Sequence, residues 1–187
     1  MASTGVLLFD GASRKRALVW LSKTYPEHSL SPLLYGTQFE ALGDVGPILL
    51  DADEGSLLQK AWFQGSPDLQ YAVWLKTEKG LPELYTSLRR RLRVYSPDGR
   101  EFWLRLADSR PLLRASEAKV QWPEGFWHGV SEVWLQRHGR AFKAWENQTP
   151  EHDCTCSAED INAQITLEWP LLEALAQESE SSQEAAL

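Results

Sequence analysis

Short apolar runs punctuated by glycine and proline set the pattern of this chain. Residues 6–9, Val-Leu-Leu-Phe closed by Asp10 and Gly11, read as a buried strand and its turn. Over residues 14–25, Leu18, Leu21 and Tyr25 recur at helical spacing, with Ser13 placed to cap the helix and Pro26 to stop it. A second apolar run at residues 33–35 completes a βαβ-like N-terminal part. Residues 39–42 fit a helical turn, Gly43 to Pro47 a structural loop, and residues 48–50 a third strand. A helix over residues 55–63, a strand over 71–75 and a helix over 82–91 follow. In the last of these Leu84 and Leu88 share a face, and arginines occupy the final turn, where cations suit the negative end of the helix dipole.

Period-two alternation is clearest next. Leu92 and Val94 alternate with Arg93 and Tyr95; Phe102, Leu104 and Leu106 alternate with Trp103 and Arg105. Between them Ser96-Pro97-Asp98-Gly99 has turn chemistry: a fixed φ, a local acceptor and a residue free to take positive φ. This predicts a central antiparallel hairpin. Residues 110–118 read as a helix, and Trp122, Phe126 and Trp127 as an aromatic loop around Pro123 and Gly125. Residues 132–136 and 141–145 flank Arg137-His138-Gly139-Arg140 as a second hairpin. Ser157 to Asp160 has the spacing of a helix start, and Pro170 begins a helix reaching Ala176. Serine, glutamate, glutamine and alanine dominate residues 178–187, the composition of an acidic disordered tail. The expected fold class is mixed α/β, a sheet with flanking helices. Residues 1–177 are expected to form one domain, compact or with a small helical appendage from residue 157.

Composition changes this picture in three ways. Nine tryptophans in 187 residues raise the weight of a binding surface, because large amphipathic rings anchor protein contacts. The formal charge of −7 argues against nonspecific nucleic-acid binding. No basic segment leads into an apolar run at the start, and no run of about eighteen apolar residues occurs, so a cytoplasmic protein away from membranes is expected. There Cys154 and Cys156 would be free thiols.

Candidate chemistry is sparse. Glu151-His152-Asp153-Cys154-Thr155-Cys156 gathers metal-ligand types, but a structural zinc site needs a second, distant pair of ligands, and this lone C-x-C reads as a loop. The phosphate-cradling patterns G-x-x-x-x-G-K-[ST] and G-x-G-x-x-G are absent, as is the G-x-S-x-G elbow. No metal, cofactor or enzymatic activity is expected. The denser feature is a basic island in an acidic chain: Arg89, Arg90, Arg91 and Arg93 before the hairpin turn, Arg100, Arg105 and Arg110 after it. Three readings stand: solvated arginines with an Arg105–Asp108 ion pair fixing the hairpin, a protein interface, or nucleic-acid binding.

The island is also where a family resemblance lies. Leu88-Arg-Arg-Arg-Leu-Arg-Val, then Pro97-Asp-Gly-Arg-Glu-Phe-Trp-Leu-Arg, then Asp108 and Arg110, resemble the bacterial type VI secretion effector adaptors, or effector chaperones, a domain of unknown function. The opening Val-Leu-Leu-Phe-Asp-Gly-Ala, the Leu33 to Leu42 segment, Asp44 to Leu50 and Trp74 match in order, covering residues 6–135. Family members more usually carry Asp-Pro-Arg where this chain has Asp108-Ser109-Arg110-Pro111, and many continue into a larger C-terminal lobe. The resemblance implies a non-enzymatic adaptor that holds a toxic effector and helps load it onto a VgrG spike protein, with or without a PAAR tip. Its alternatives are an uncharacterised enzyme built on Asp108, Arg110 and a histidine, or an immunity protein neutralising a toxin. Candidate partner-binding residues are Arg89, Arg90, Arg93, Trp103, Arg105, Asp108, Arg110, Trp122 and Trp127, with Trp62 a further candidate anchor. Replacing Arg89 and Arg90 by Glu is expected to weaken partner binding and leave stability nearly unchanged.

Overall fold

The structure is a computed structural model that describes residues 4–156 and 161–176. Its centre is β1 (Thr4–Asp10), the apolar run that opens the chain. β1 pairs antiparallel with β3 (Pro47–Asp51) on one side and with β4 (Val73–Thr77) on the other, so Leu7 lies opposite both Leu50 and Trp74. The six-stranded sheet has the order β2-β3-β1-β4-β7-β8, with β2 (Leu30–Pro32), β7 (Val130–Arg137) and β8 (Arg140–Glu146) completing it. Every neighbouring pair is antiparallel. β1 and β2 therefore run parallel with β3 inserted between them, and the βαβ-like unit is a split one.

β1 reads as a continuous apolar run because helices cover both faces of the sheet. Leu7 and Phe9 point into a core closed by α1 (Ala17–Thr24) and α2 (Leu57–Phe63) through Leu21, Leu58 and Trp62. Val6 and Leu8 point into the opposite core. That core takes Leu84 and Leu88 of α3 (Leu81–Arg89), Leu112 and Ala115 of α4 (Ser109–Glu117), and Leu171 of α5 (Trp169–Ala176). The two buried indoles nearest the strands are satisfied: Trp74 donates to the Ala52 carbonyl at 3.0 Å and Trp62 to the Ala72 carbonyl at 3.1 Å. The mixed α/β class expected from the sequence is the one observed.

Several local expectations shift. Ser13 does not cap α1. Residues Gly11–Ser13 form a 3-10 turn capped by Asp10, α1 starts after Arg16, and its Leu18 amide is taken up by the Asp44 carboxylate at 2.9 Å. The edge strand β2 precedes the 33–35 run, in which Leu33 and Leu34 bury their side chains and Tyr35 is exposed. The hairpin expected at the centre is present as β5 (Arg93–Tyr95) and β6 (Glu101–Trp103), but it forms its own small sheet, whose Val94 shares a core with Leu88 of α3, Leu112 of α4 and Leu171 of α5. The second hairpin is β7–β8, turned by His138 and Gly139 with φ of 51° and 74°. Both values suit a two-residue hairpin turn. The helix start at residues 157–160 and the tail at 178–187 lie outside the described residues. Among the described residues no helix is long and apolar enough to cross a membrane.

Candidate functional site

The β5–β6 hairpin is held at three points. At its turn the Ser96 amide donates to the Arg100 carbonyl and the Gly99 amide to the Ser96 carbonyl, both at 2.9 Å, with Gly99 at φ 82°. The Ser96 hydroxyl donates to Asp98, which holds that carboxyl below its usual pKa, and Arg100 pairs with the same group at 2.8 Å. Along its inner side, the Tyr95 amide donates to the Ile165 carbonyl and the Leu167 amide to the Tyr95 carbonyl, each at 2.8 Å. Residues 165–167 thus run beside β5 as a third, parallel strand-like segment.

The third point is a carboxylate–guanidinium network at the hairpin's exit. Asp108, almost wholly buried, is the N-cap of α4 and accepts the Arg110 amide at 3.0 Å. Its two oxygens also take both ends of the Arg110 guanidinium at 2.9 and 3.0 Å, and Arg105 at 3.1 Å. Arg105 reaches on to Asp10 at the end of β1, and Arg110 lies over the Tyr71 ring at 4.5 Å. The Arg105–Asp108 pair read from the sequence is therefore made, and it ties the hairpin to the central strand. Pro111 falls in the first turn of α4, where its missing N–H removes no helical hydrogen bond.

Between these anchors the hairpin presents a ridge of aromatic surface. Phe102 is 39% exposed and Trp103 49%. Trp103 stands edge-on to Phe39 at 4.9 Å, and the Arg93 guanidinium lies over both rings at 5.5 and 5.8 Å while pairing with Glu101. A groove flanks the ridge on each side. One, of about 410 Å³, is walled by Leu34, Leu42, Val45, Pro47 and Leu92 and floored by Asp10 and Asp108. The other, of about 380 Å³, runs between Phe102 and α5, with Val94, Pro111, Trp169 and Leu172 in its walls. Trp103, Leu104 and Arg105 border both. Adjacent exposed aromatics with apolar grooves and an arginine rim are the make-up of protein contacts.

Arg93, Trp103, Arg105, Asp108 and Arg110 are brought together here; the other candidates are not. Arg91, not chosen as a candidate, is the hub of a second cluster. Its side chain is 1% exposed and donates to the carbonyls of Ser87, Gly125 and Phe126, to the Ser87 hydroxyl, and to Asp153 at 2.7 Å. Burial lowers its pKa and Asp153 opposes that. Arg90 pairs with the other Asp153 oxygen at 3.0 Å with its side chain mostly buried, so it holds the fold together and offers no surface anchor. Burial would raise the Asp153 pKa, but the Thr155 amide and hydroxyl and the Arg91 guanidinium bring it down to about 2. Asp153 belongs to the stretch that held metal-ligand types, and it serves arginines instead. Among the described residues no three of His, Cys, Asp and Glu gather as a metal set.

The clamped loop carries Trp122, Phe126 and Trp127. Trp122 stacks on Phe126 at 4.5 Å and meets Trp127 and Trp145 edge-on at 5.2 and 5.7 Å. Trp127 is buried, Trp122 half-buried and Trp62 fully inside the α1–α2 core, so none of the three is an exposed anchor. Arg89, half-buried, donates to the Tyr85 hydroxyl at 3.2 Å. Sequence reasoning missed Phe39 and Trp169 as aromatic neighbours of the hairpin and Asp10 as the second Arg105 acceptor. Each is distant in sequence, and only the fold brings it near.

The family model described as Domain of unknown function (DUF4123) matches residues 7–121, from β1 through α4 and including the whole hairpin. The β7–β8 pair that completes the sheet follows the matched region. No curated protein and no solved structure matches the chain.

Proposed function

The chain belongs to the DUF4123 family, and from that premise we propose that it is a type VI secretion effector adaptor, or chaperone. It binds a cognate toxic effector in the cytoplasm of the producing cell and assists loading onto a VgrG spike protein or its PAAR tip. The observation that carries this reading is the aromatic ridge of Phe102 and Trp103 between two apolar grooves, on a hairpin fastened at turn, flank and exit. A surface that must hold a partner and later release it needs anchors that are exposed before binding and a frame that pays little ordering entropy when they engage. Both are present. The buried Asp108, with its oxygens occupied by two arginines and a backbone amide, is placed to hold the hairpin and start α4.

The test is affinity purification of the tagged chain from its own cells, alongside deletion of its gene. Recovery of a toxin-like protein and a spike protein, with lost secretion and healthy sister cells on deletion, is the expected result. Poisoned sister cells on deletion would instead make it an immunity protein.

A further inference from the structure

We propose that the outer edge of β6 receives an extended segment of the partner protein as an added β-strand. This rests on the partner-binding reading and specifies its mode.

The argument starts from the ladder. Residues facing each other in an antiparallel pair alternate between those that exchange hydrogen bonds and those whose main-chain groups point away. Tyr95 gives its N–H and C=O to the 165–167 segment, away from β6. Its cross-strand partner Glu101 is therefore also in an outward-facing position, and so is Trp103 two residues on. The bonds that close the pair fit this alternation, for the Arg100 carbonyl and the Leu104 amide point inward to Ser96 and Leu92. The N–H and C=O groups of Glu101 and Trp103 thus form a free edge, among the described residues, offering two donors and two acceptors to an incoming strand.

The surroundings fit that occupant. Successive side chains of an added strand point to opposite faces. Phe102 and Val94 border the α5 groove, and Trp103, which borders both grooves, stands beside Phe39 at the rim of the one walled by Leu34 and Pro47. An extended segment along β6 would therefore direct every second side chain to the apolar surface of these grooves, with main-chain bonds supplying affinity and the grooves selecting the sequence. The other two sheet edges are guarded in the usual ways: β2 is short and ends at Pro32, and β8 carries Arg140, Lys143 and Glu146. The β6 edge instead carries two exposed aromatics. Residues 177–186 do not suit the grooves, since they contain only Gln, Glu, Ser and Ala.

The probe is a phage-displayed library of random dodecapeptides selected on the purified chain. The best binder is then synthesised with single N-methyl groups scanned along its backbone. An N-methyl group removes one donor and blocks strand pairing on one side only. Strand addition predicts apolar residues at every second peptide position and losses of tenfold or more at alternate N-methyl positions. It also predicts tenfold or greater slowing of hydrogen exchange at the Glu101 and Trp103 amides on binding. No binder, binders indifferent to Trp103→Ser, or N-methyl effects without a two-residue period would overturn it. Peptide binding with the two-residue period but no effector recovered from cells keeps strand addition and removes the adaptor reading. Effector recovery that depends on the hairpin, without the period, removes strand addition alone.

Discussion

Replacing Arg91 by Met tests whether the second cluster is the clamp that fixes the aromatic loop to α3. Met preserves most of the stem's volume, so the change isolates the guanidinium. That group makes hydrogen bonds to the carbonyls of Ser87, Gly125 and Phe126, to the Ser87 hydroxyl and to Asp153. Its loss takes the partner from the buried Ser87 and Phe126 carbonyls, at roughly 1 kcal/mol each, while the Gly125 carbonyl keeps the Cys154 amide at 3.3 Å. It also strips Asp153 of its most buried cation, although Arg90 and Thr155 still serve that carboxylate. The sum is about 3–5 kcal/mol, the range for breaking one partner of a buried pair. For a chain of this size that is a fall in Tm of roughly 8–15 °C. Urea and thermal unfolding followed by tryptophan fluorescence would read it. In a double-mutant cycle, Arg91→Met and Asp153→Asn should be less than additive, because the second change removes a partner already lost. A loss below about 1 kcal/mol, or strict additivity, would refute the reasoning.

Three further outcomes follow from the same contacts. The contacts around Asp153 bring its carboxyl below the ordinary aspartate range, to about 2, so the stabilisation it gives is complete above about pH 4 and is lost as pH falls toward 2. With the side chain partly exposed the effect is roughly 1–2 kcal/mol, and a pH series of unfolding curves should show the step shrink in Asp153→Asn. Arg89→Glu should change Tm by no more than about 2 °C, whereas Arg90→Glu sets a carboxylate against Asp153 and should cost roughly 2–4 kcal/mol by urea denaturation. Gly125→Ala should destabilise by about 2 kcal/mol or more in the same assay, because Gly125 has φ of 80° and a Cβ there would lie 2.7 Å from the Cys154 amide nitrogen.

What the sequence showed and what it hid divide along a physical line. The hairpin turn was legible because Pro97, Asp98 and Gly99 act locally, and β1 because a run apolar at every position announces burial on both faces. The split strand order was not, since pairing of β3 between β1 and β2 depends on long-range packing that no local period records. The arginine island was legible as a cluster but not in its division of labour. Arg89 to Arg91 are adjacent in sequence, yet the helix turns Arg91 into the interior and leaves Arg90 beside Asp153, more than sixty residues away. Tryptophans were read as anchors by type, and burial is what separates Trp103 from Trp62 and Trp127. Ser13 failed as a cap because it lies inside the 3-10 turn that Asp10 caps, with its hydroxyl donating to the Asp10 carbonyl, and Asp44 supplied the acceptor from another loop.

The central claim is that the Phe102–Trp103 ridge binds the effector. It is tested most directly by purifying tagged wild-type chain and the Phe102→Ser/Trp103→Ser variant side by side from the native cells, with bound proteins quantified by mass spectrometry. Both residues are exposed, so circular dichroism should be unchanged and Tm should fall by only a few degrees. The account predicts that the variant stays folded and loses the effector at least tenfold. A folded variant that retains the effector at the wild-type level would contradict it.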